Sequence, residues 1–116
     1  MENTKVTDLT TLTQLSGGDA ARKIKYITMF LDLLPKQLSV ATKAVEDKDW
    51  PRLRNAVHTL KSQLGYMGVK KGQEIAQQIE RMADEQSSIE DIPAWVNTFV
   101  EICHKAESEL KAEISQ

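Results

Sequence analysis

The chain has 116 residues, enough for one ordinary domain and too few for a second core or a separate catalytic domain with its own nucleotide site. With 41% hydrophobic and 28% charged residues it can bury a core and keep a solvated surface, which excludes a disordered segment. Its formal charge is −2, and Lys and Arg are scattered among Asp and Glu, so no basic stripe is available to neutralise nucleic-acid phosphates.

Residues 1–7 read as a loose end, and residues 8–15 as a short first helix with Leu9, Leu12 and Leu15 at intervals of three. Ser16-Gly17-Gly18-Asp19 is a break followed by an N-cap, since Ser16 and Asp19 can both accept hydrogen bonds from unpaired helical N–H groups. A long helix follows, with Ile24, Ile27, Leu31, Leu34, Leu38, Ala41 and Val45 in one stripe. Pro35 lies inside it and predicts a kink, not two helices, because the stripe continues across it. Glu46-Asp47-Lys48-Asp49 is the next break, with Asp49 as cap and Pro51 tolerated in the first turn of the third helix. That helix carries Leu53, Val57, Leu60, Leu64 and Met67 and stops at Gly68, where Val69 can fold back on Leu64. Ile75, Ile79 and Met82 mark a fourth helix that fades over residues 84–88. The last begins near Asp91 and Pro93 and carries Ile92, Trp95, Val96, Phe99, Ile102, Cys103, Ala106 and Leu110 on one face.

Four amphipathic helices with short breaks hide their stripes most simply as an antiparallel up-and-down four-helix bundle, here with a short extra N-terminal helix. The expected class is all-α, with one domain over residues 8–114. No segment alternates as a strand, and there is no internal repeat or low-complexity tract.

Cys103 is the sole cysteine, so neither an internal disulfide nor a multi-cysteine zinc site can form, and a reducing, cytoplasmic setting fits. Residues 1–8 lack the apolar core of a signal peptide, and nowhere do eighteen apolar residues run together, so neither export nor a membrane span is expected. Adjacent Cys103 and His104 point about 100° apart on a helix and make no metal pair, leaving Cys103 for the core and His104 for the surface. Trp50 reads as an anchor at a helix start and Trp95 as core, because no basic aromatic stretch surrounds them to stack on bases. A Gly-rich phosphate loop is absent.

The third helix holds the chemistry. At 100° per residue, with Val57 at zero, Leu53, Leu60 and Leu64 fall within about 60° of it, while Lys61 lies near 40°, Gly65 near 80°, His58 near 100° and Ser62 near 140°. His58 therefore faces solvent. An exposed histidine is ordinarily a plain surface residue. Lys61, three residues on, places an ammonium where it would stabilise negative charge added to the ring but gain little from neutral imidazole. Gly65 is unusual, since glycine within a helix costs roughly 0.5–1 kcal/mol relative to alanine. Two readings stand: with Ser62 it lowers the surface beside His58 for a partner, or the helix begins to fray into the Gly68 turn.

Ala56-Val57-His58-Thr59-Leu60-Lys61, followed by Gly65 and Gly68, resembles the signature of histidine-containing phosphotransfer (HPt) domains. The likeness extends to the Leu34-Pro35 step, the Asp49-Trp50 helix start and residues 75–80, and so covers roughly residues 10–110. It implies that His58 is the phosphorylated nucleophile, that Lys61 steadies the phosphoryl oxygens, and that Ser62 and Gly65 form part of a docking face. It also implies that Glu80, twenty-two residues after the histidine on the neighbouring helix, orients the imidazole. A carboxylate accepting from Nδ1–H would fix the tautomer and leave the Nε2 lone pair free. Two positions depart from the family pattern: Ser62 stands where glycine is frequent, and Gly72 where an apolar residue is, which weakens or shifts the start of the fourth helix.

The resemblance implies a phosphorelay carrier in two-component signalling, with receiver domains of response regulators or hybrid histidine kinases as partners. It implies no autokinase activity, no cofactor of its own, and a magnesium ion in the partner receiver. A monomer without nucleic-acid or membrane partners is expected. Arg52, Arg54, Lys70 and Lys71 would favour an acidic receiver pocket, or are simply solvated. The alternative is a helical adaptor that binds receivers without being phosphorylated; a metal protein or enzyme is the poorer rival, with two distant histidines and one cysteine. Both a free-standing carrier and a module of a larger hybrid kinase fit the sequence.

Overall fold

Asp19 opens the longest helix by accepting hydrogen bonds from the N–H groups of Ala21 and Arg22. In the computed structural model, which describes residues 5–115, it follows a short helix α1 (Thr10–Leu15) and begins α2 (Ala20–Asp47). Then come α3 (Trp50–Tyr66), α4 (Lys70–Glu85), a 3₁₀ turn (Ile89–Asp91) and α5 (Ile92–Ile114). No strand occurs among the described residues. Each of α2 to α5 packs on its neighbours in chain order, and α5 returns to α2, closing the expected all-α, antiparallel four-helix bundle.

The breaks have local causes. Asp49 caps α3 by accepting the Arg52 N–H, and Pro51 sits in the first turn, where its missing donor costs nothing. At the other end Gly68 turns left-handed (φ +67°), Val69 N–H reaches Leu64 O at 2.9 Å and Gly68 N–H reaches Gly65 O at 3.1 Å. That is a Schellman stop, and it turns Val69 into the core. Ser16 does not cap α2: it is buried, and its hydroxyl donates to Leu12 O. α2 runs unbroken through Pro35, which lies on its exposed side.

Leu53, Val57, Leu60, Leu64 and Met67 are all buried, as the stripe of α3 requires. Elsewhere the stripes are corrected. Ile24 is exposed, whereas Phe30 and Ala44 join the core. At 1.5 Å per residue the 28 residues of α2 span about 42 Å, against about 26 Å for the 17 of α3. Its first turns therefore extend beyond the length of α3, and Ile24 lies in that overhang, 45% exposed. Trp95, expected in the core, is exposed on α5. Helix α4 begins at Lys70 despite Gly72, whose bare Cα lets it press on α3 and α5: a Cβ there would meet Val69 Cγ1 at 3.0 Å and Leu64 Cδ1 at 3.3 Å.

The loose end expected over residues 1–7 lies outside the described residues for 1–4, but Val6 and Thr7 are fastened. The Glu109 carboxylate on α5 accepts both of their N–H groups and the Thr7 hydroxyl, at 2.7–3.1 Å. Asp8 N–H then reaches Met67 O at 3.2 Å. This strap leads into α1, which starts two residues later than expected and sinks Leu12 into the core. No helix among the described residues is long and apolar enough to cross a membrane.

Candidate functional site

Helices α3 and α4 meet along a polar seam. On α3, Arg54, His58, Lys61 and Gly65 follow one another at steps of four, three and four, which keeps them on one face. On α4, Asp84, Glu80, Gln77 and Gln73 descend by the same steps, so the antiparallel pair meets rung by rung. Arg54 Nε bonds Asp84 Oδ1 at 2.9 Å. His58 Nδ1 lies 2.5 Å from Glu80 Oε1. Lys61 Nζ donates to Gln77 Oε1 at 2.9 Å and also to Glu80 Oε2. The Gln73 amide lies over Gly65, where an added Cβ would stand 2.5 Å from its Nε2, and donates to Lys61 O at 3.3 Å.

His58 is the central residue of α3, and its side chain is 53% exposed, as the helical wheel requires. Glu80 is the opposite case, a carboxylate 6% exposed, with one oxygen on the imidazole and the other on the ammonium. With both Glu80 oxygens accepting, Nδ1 is the ring nitrogen that donates, and Nε2 is the one turned away from the carboxylate. Ring, ammonium and carboxylate share a shallow depression of about 350 Å³ lined by α3 and α4 alone. The geometry offers a fixed tautomer, an accessible nucleophilic nitrogen and a cation beside it.

The structure thus brings His58, Lys61 and Glu80 together. Ser62 is exposed on the His58 side of α3. Gly65 is within the helix, not frayed, and the space above it belongs to Gln73. Gln73 and Gln77 were not singled out from the sequence; their spacing from Glu80 was the available signal. A second feature went unread: Leu15, Tyr26, Met29 and Tyr66 are exposed around an apolar groove of about 410 Å³ at the α1–α2–α3 junction. Cys103 is buried and His104 exposed, and among the described residues no group of three His, Cys, Asp or Glu side chains is placed to hold a metal.

A closed helical bundle presenting one carboxylate-held histidine at the middle of a helix defines a class of small carrier domains. The Hpt domain family matches residues 25–116, and this chain belongs to it. Membership implies phosphotransfer in two-component signalling, in which Hpt domains interact with receiver domains and act as phosphocarriers rather than catalysts. The crystal structure of the HPT domain from a Shewanella Hpt sensor hybrid histidine kinase is similar, with a TM-score of 0.84 over 96% of this chain and 95% of that one. Sequence identity is 22%, so that likeness speaks for the fold. Comparison with curated proteins gave no match.

Proposed function

We propose that this chain is a phosphorelay carrier that takes a phosphoryl group from a receiver-domain aspartate onto His58 Nε2 and passes it to a second receiver. The observation that carries the reading is the 2.5 Å contact between His58 Nδ1 and Glu80 on a ring whose other side is open to solvent. The Nε2 lone pair attacks phosphorus, the bond from phosphorus to the aspartyl oxygen breaks, and the receiver regains its carboxylate; the proton on Nδ1 stays on the ring, hydrogen-bonded to Glu80. Both carriers are reactive, so the step runs in either direction. The magnesium ion belongs to the receiver. What this chain contributes is position, which lowers the barrier by holding the nucleophile in the attacking geometry.

A receiver seated on His58 also covers the apolar groove. Tyr66 lies two turns from His58, about 12 Å along the axis. A standard interface of about 800 Å² per partner is a disc of about 16 Å radius, so centred on His58 it reaches Ser62 and Tyr66, and Tyr66 lines the groove with the exposed Leu15, Tyr26 and Met29. The reading places the transfer in the cytoplasm, supported by the lone cysteine, which is buried as a free thiol.

Incubation with a phosphorylated receiver domain, followed by intact-mass measurement of acid-labile phosphate, tests the reading. The wild type should gain one phosphoryl group and His58→Gln none. Receivers that bind but never label the chain would instead make it an adaptor.

A further inference from the structure

One wall of the apolar groove is not held by the four-helix bundle itself. Leu12 and Leu15 of α1 line the groove together with Tyr26 and Met29 of α2 and with Tyr66 and Met67 at the end of α3. Helix α1 has six residues, and so short a helix does not persist in water without tertiary support. Leu12 is its one buried residue. The turn that joins it to α2 gives little further hold. Gly17 and Gly18 are left-handed (φ +60° and +78°) with nothing within 4 Å of where a Cβ would stand, and the N–H groups of Ser16, Gly17, Gly18 and Asp19 all bond back to residues 12–16. Even the buried Ser16 hydroxyl is spent on Leu12 O. On the other side of α1 the chain is tied to the bundle: Glu109 accepts from the Val6 and Thr7 N–H groups and the Thr7 hydroxyl, and Asp8 N–H bonds Met67 O.

We infer that Glu109 is a positioning residue for the receiver: through the strap it holds α1 in place as a wall of the groove, although it stands on α5, about a hundred residues along the chain from Val6 and Thr7. This rests on a receiver covering the groove as it reacts with His58. A charged acceptor makes stronger hydrogen bonds than a neutral one, so the carboxylate is the firmest tie in the strap. Its loss frees the strap without opening the bundle. Lys23 of α2 still pairs with Glu113 of α5 at 3.5 Å, and Ala106 and Leu110 stay buried on either side of Glu109. Helix α1 then divides its time between a docked and a released position, and a receiver that binds only the docked form loses apparent affinity in proportion.

The test measures the affinity of a receiver domain for the unphosphorylated protein, single-turnover transfer from the phosphorylated receiver, and amide exchange. The variants are Glu109→Gln, Thr7→Val, Leu15→Ser and, as control, Ile92→Val, which trims the core at the far end of α5. Glu109→Gln should speed exchange at Thr13 and Ser16 but not at Leu60, weaken receiver binding about five-fold, and leave transfer at saturating receiver within about two-fold of wild type. Thr7→Val, which removes one of the donors, should do the same to a smaller extent. Leu15→Ser should also weaken binding, and its effect combined with Glu109→Gln should fall short of the product of the two, because both act on one wall. Ile92→Val should lower Tm and leave affinity unchanged. Affinity unchanged in Glu109→Gln, or lowered equally by Ile92→Val, overturns the assignment, as does α1 exchange that stays at the wild-type rate. Affinity and exchange are read without phosphate, so failure here is distinct from failure of the carrier reading, which would show as no labelling of wild type by any receiver.

Discussion

His58 and Glu80 lie opposite each other on the second rung of the α3–α4 seam, Nδ1 to Oε1, with the carboxylate buried and the ring half in solvent. The buried partner therefore decides how the exposed one points. Glu80→Ala should slow phosphoryl acceptance by roughly 10- to 100-fold, since a reacting atom misplaced by about 1 Å can lose on the order of 10²-fold. Glu80→Gln, which still accepts from Nδ1–H, should stay within a few-fold at the pH optimum. Single-turnover labelling from a phosphorylated receiver reads both.

Glu109 gives the fold a pH dependence. Partial burial pushes its carboxyl up, but hydrogen bonds from the Thr7 hydroxyl and the Val6 and Thr7 amides, with Lys105 nearby, outweigh that and hold it below the ordinary 4.5. A carboxyl depressed on folding stabilises the folded state above its unfolded value, and that contribution is lost as pH falls through the folded value. Melting curves from pH 7 down to pH 3 should show a loss below about pH 4.5. Glu109→Gln should lack that component and be less stable at pH 7 by about 1 kcal/mol, a few degrees of melting temperature.

Gly68 admits no side chain. Its φ is +67°, and a Cβ would stand 1.9 Å from the Asp8 carbonyl oxygen, a backbone atom that cannot swing aside. Gly68→Ala should cost about 2 kcal/mol or more, by left-handed strain and by displacing the strap. Urea denaturation measures the loss, and earlier amide exchange at Asp8 would locate it.

Burial, helped by Glu107, pushes the Cys103 thiol up to about 12. At pH 8 its alkylation in the folded protein should therefore be orders of magnitude slower than in the urea-unfolded chain, and its rate should follow opening of the bundle.

The caps were legible in the sequence because they are local: Asp19, Asp49 and Gly68 act on residues within a turn of themselves. The face of α3 was legible for the same reason, and with it the exposure of His58. Ile24 and Trp95 were misplaced because a stripe shows which side of a helix is apolar but not how far its neighbour reaches. Gln77 and Gln73 had the right spacing in the sequence, yet assigning them needs the register between α3 and α4, a tertiary quantity. Gly72 read as a weak helix start, whereas it is a point where three helices press together. Glu109 gave no signal, because its partners are about a hundred residues away along the chain.

The strap has a topological consequence. By fastening Val6 and Thr7 to Glu109, it brings the first described residues within two turns of the end of α5, at the pole where α3 also stops. The backbone is thereby almost a closed loop. Both ends of the described backbone therefore sit near the pole where α3 stops, while His58 lies at the middle of α3, about 12 Å along the axis from Tyr66.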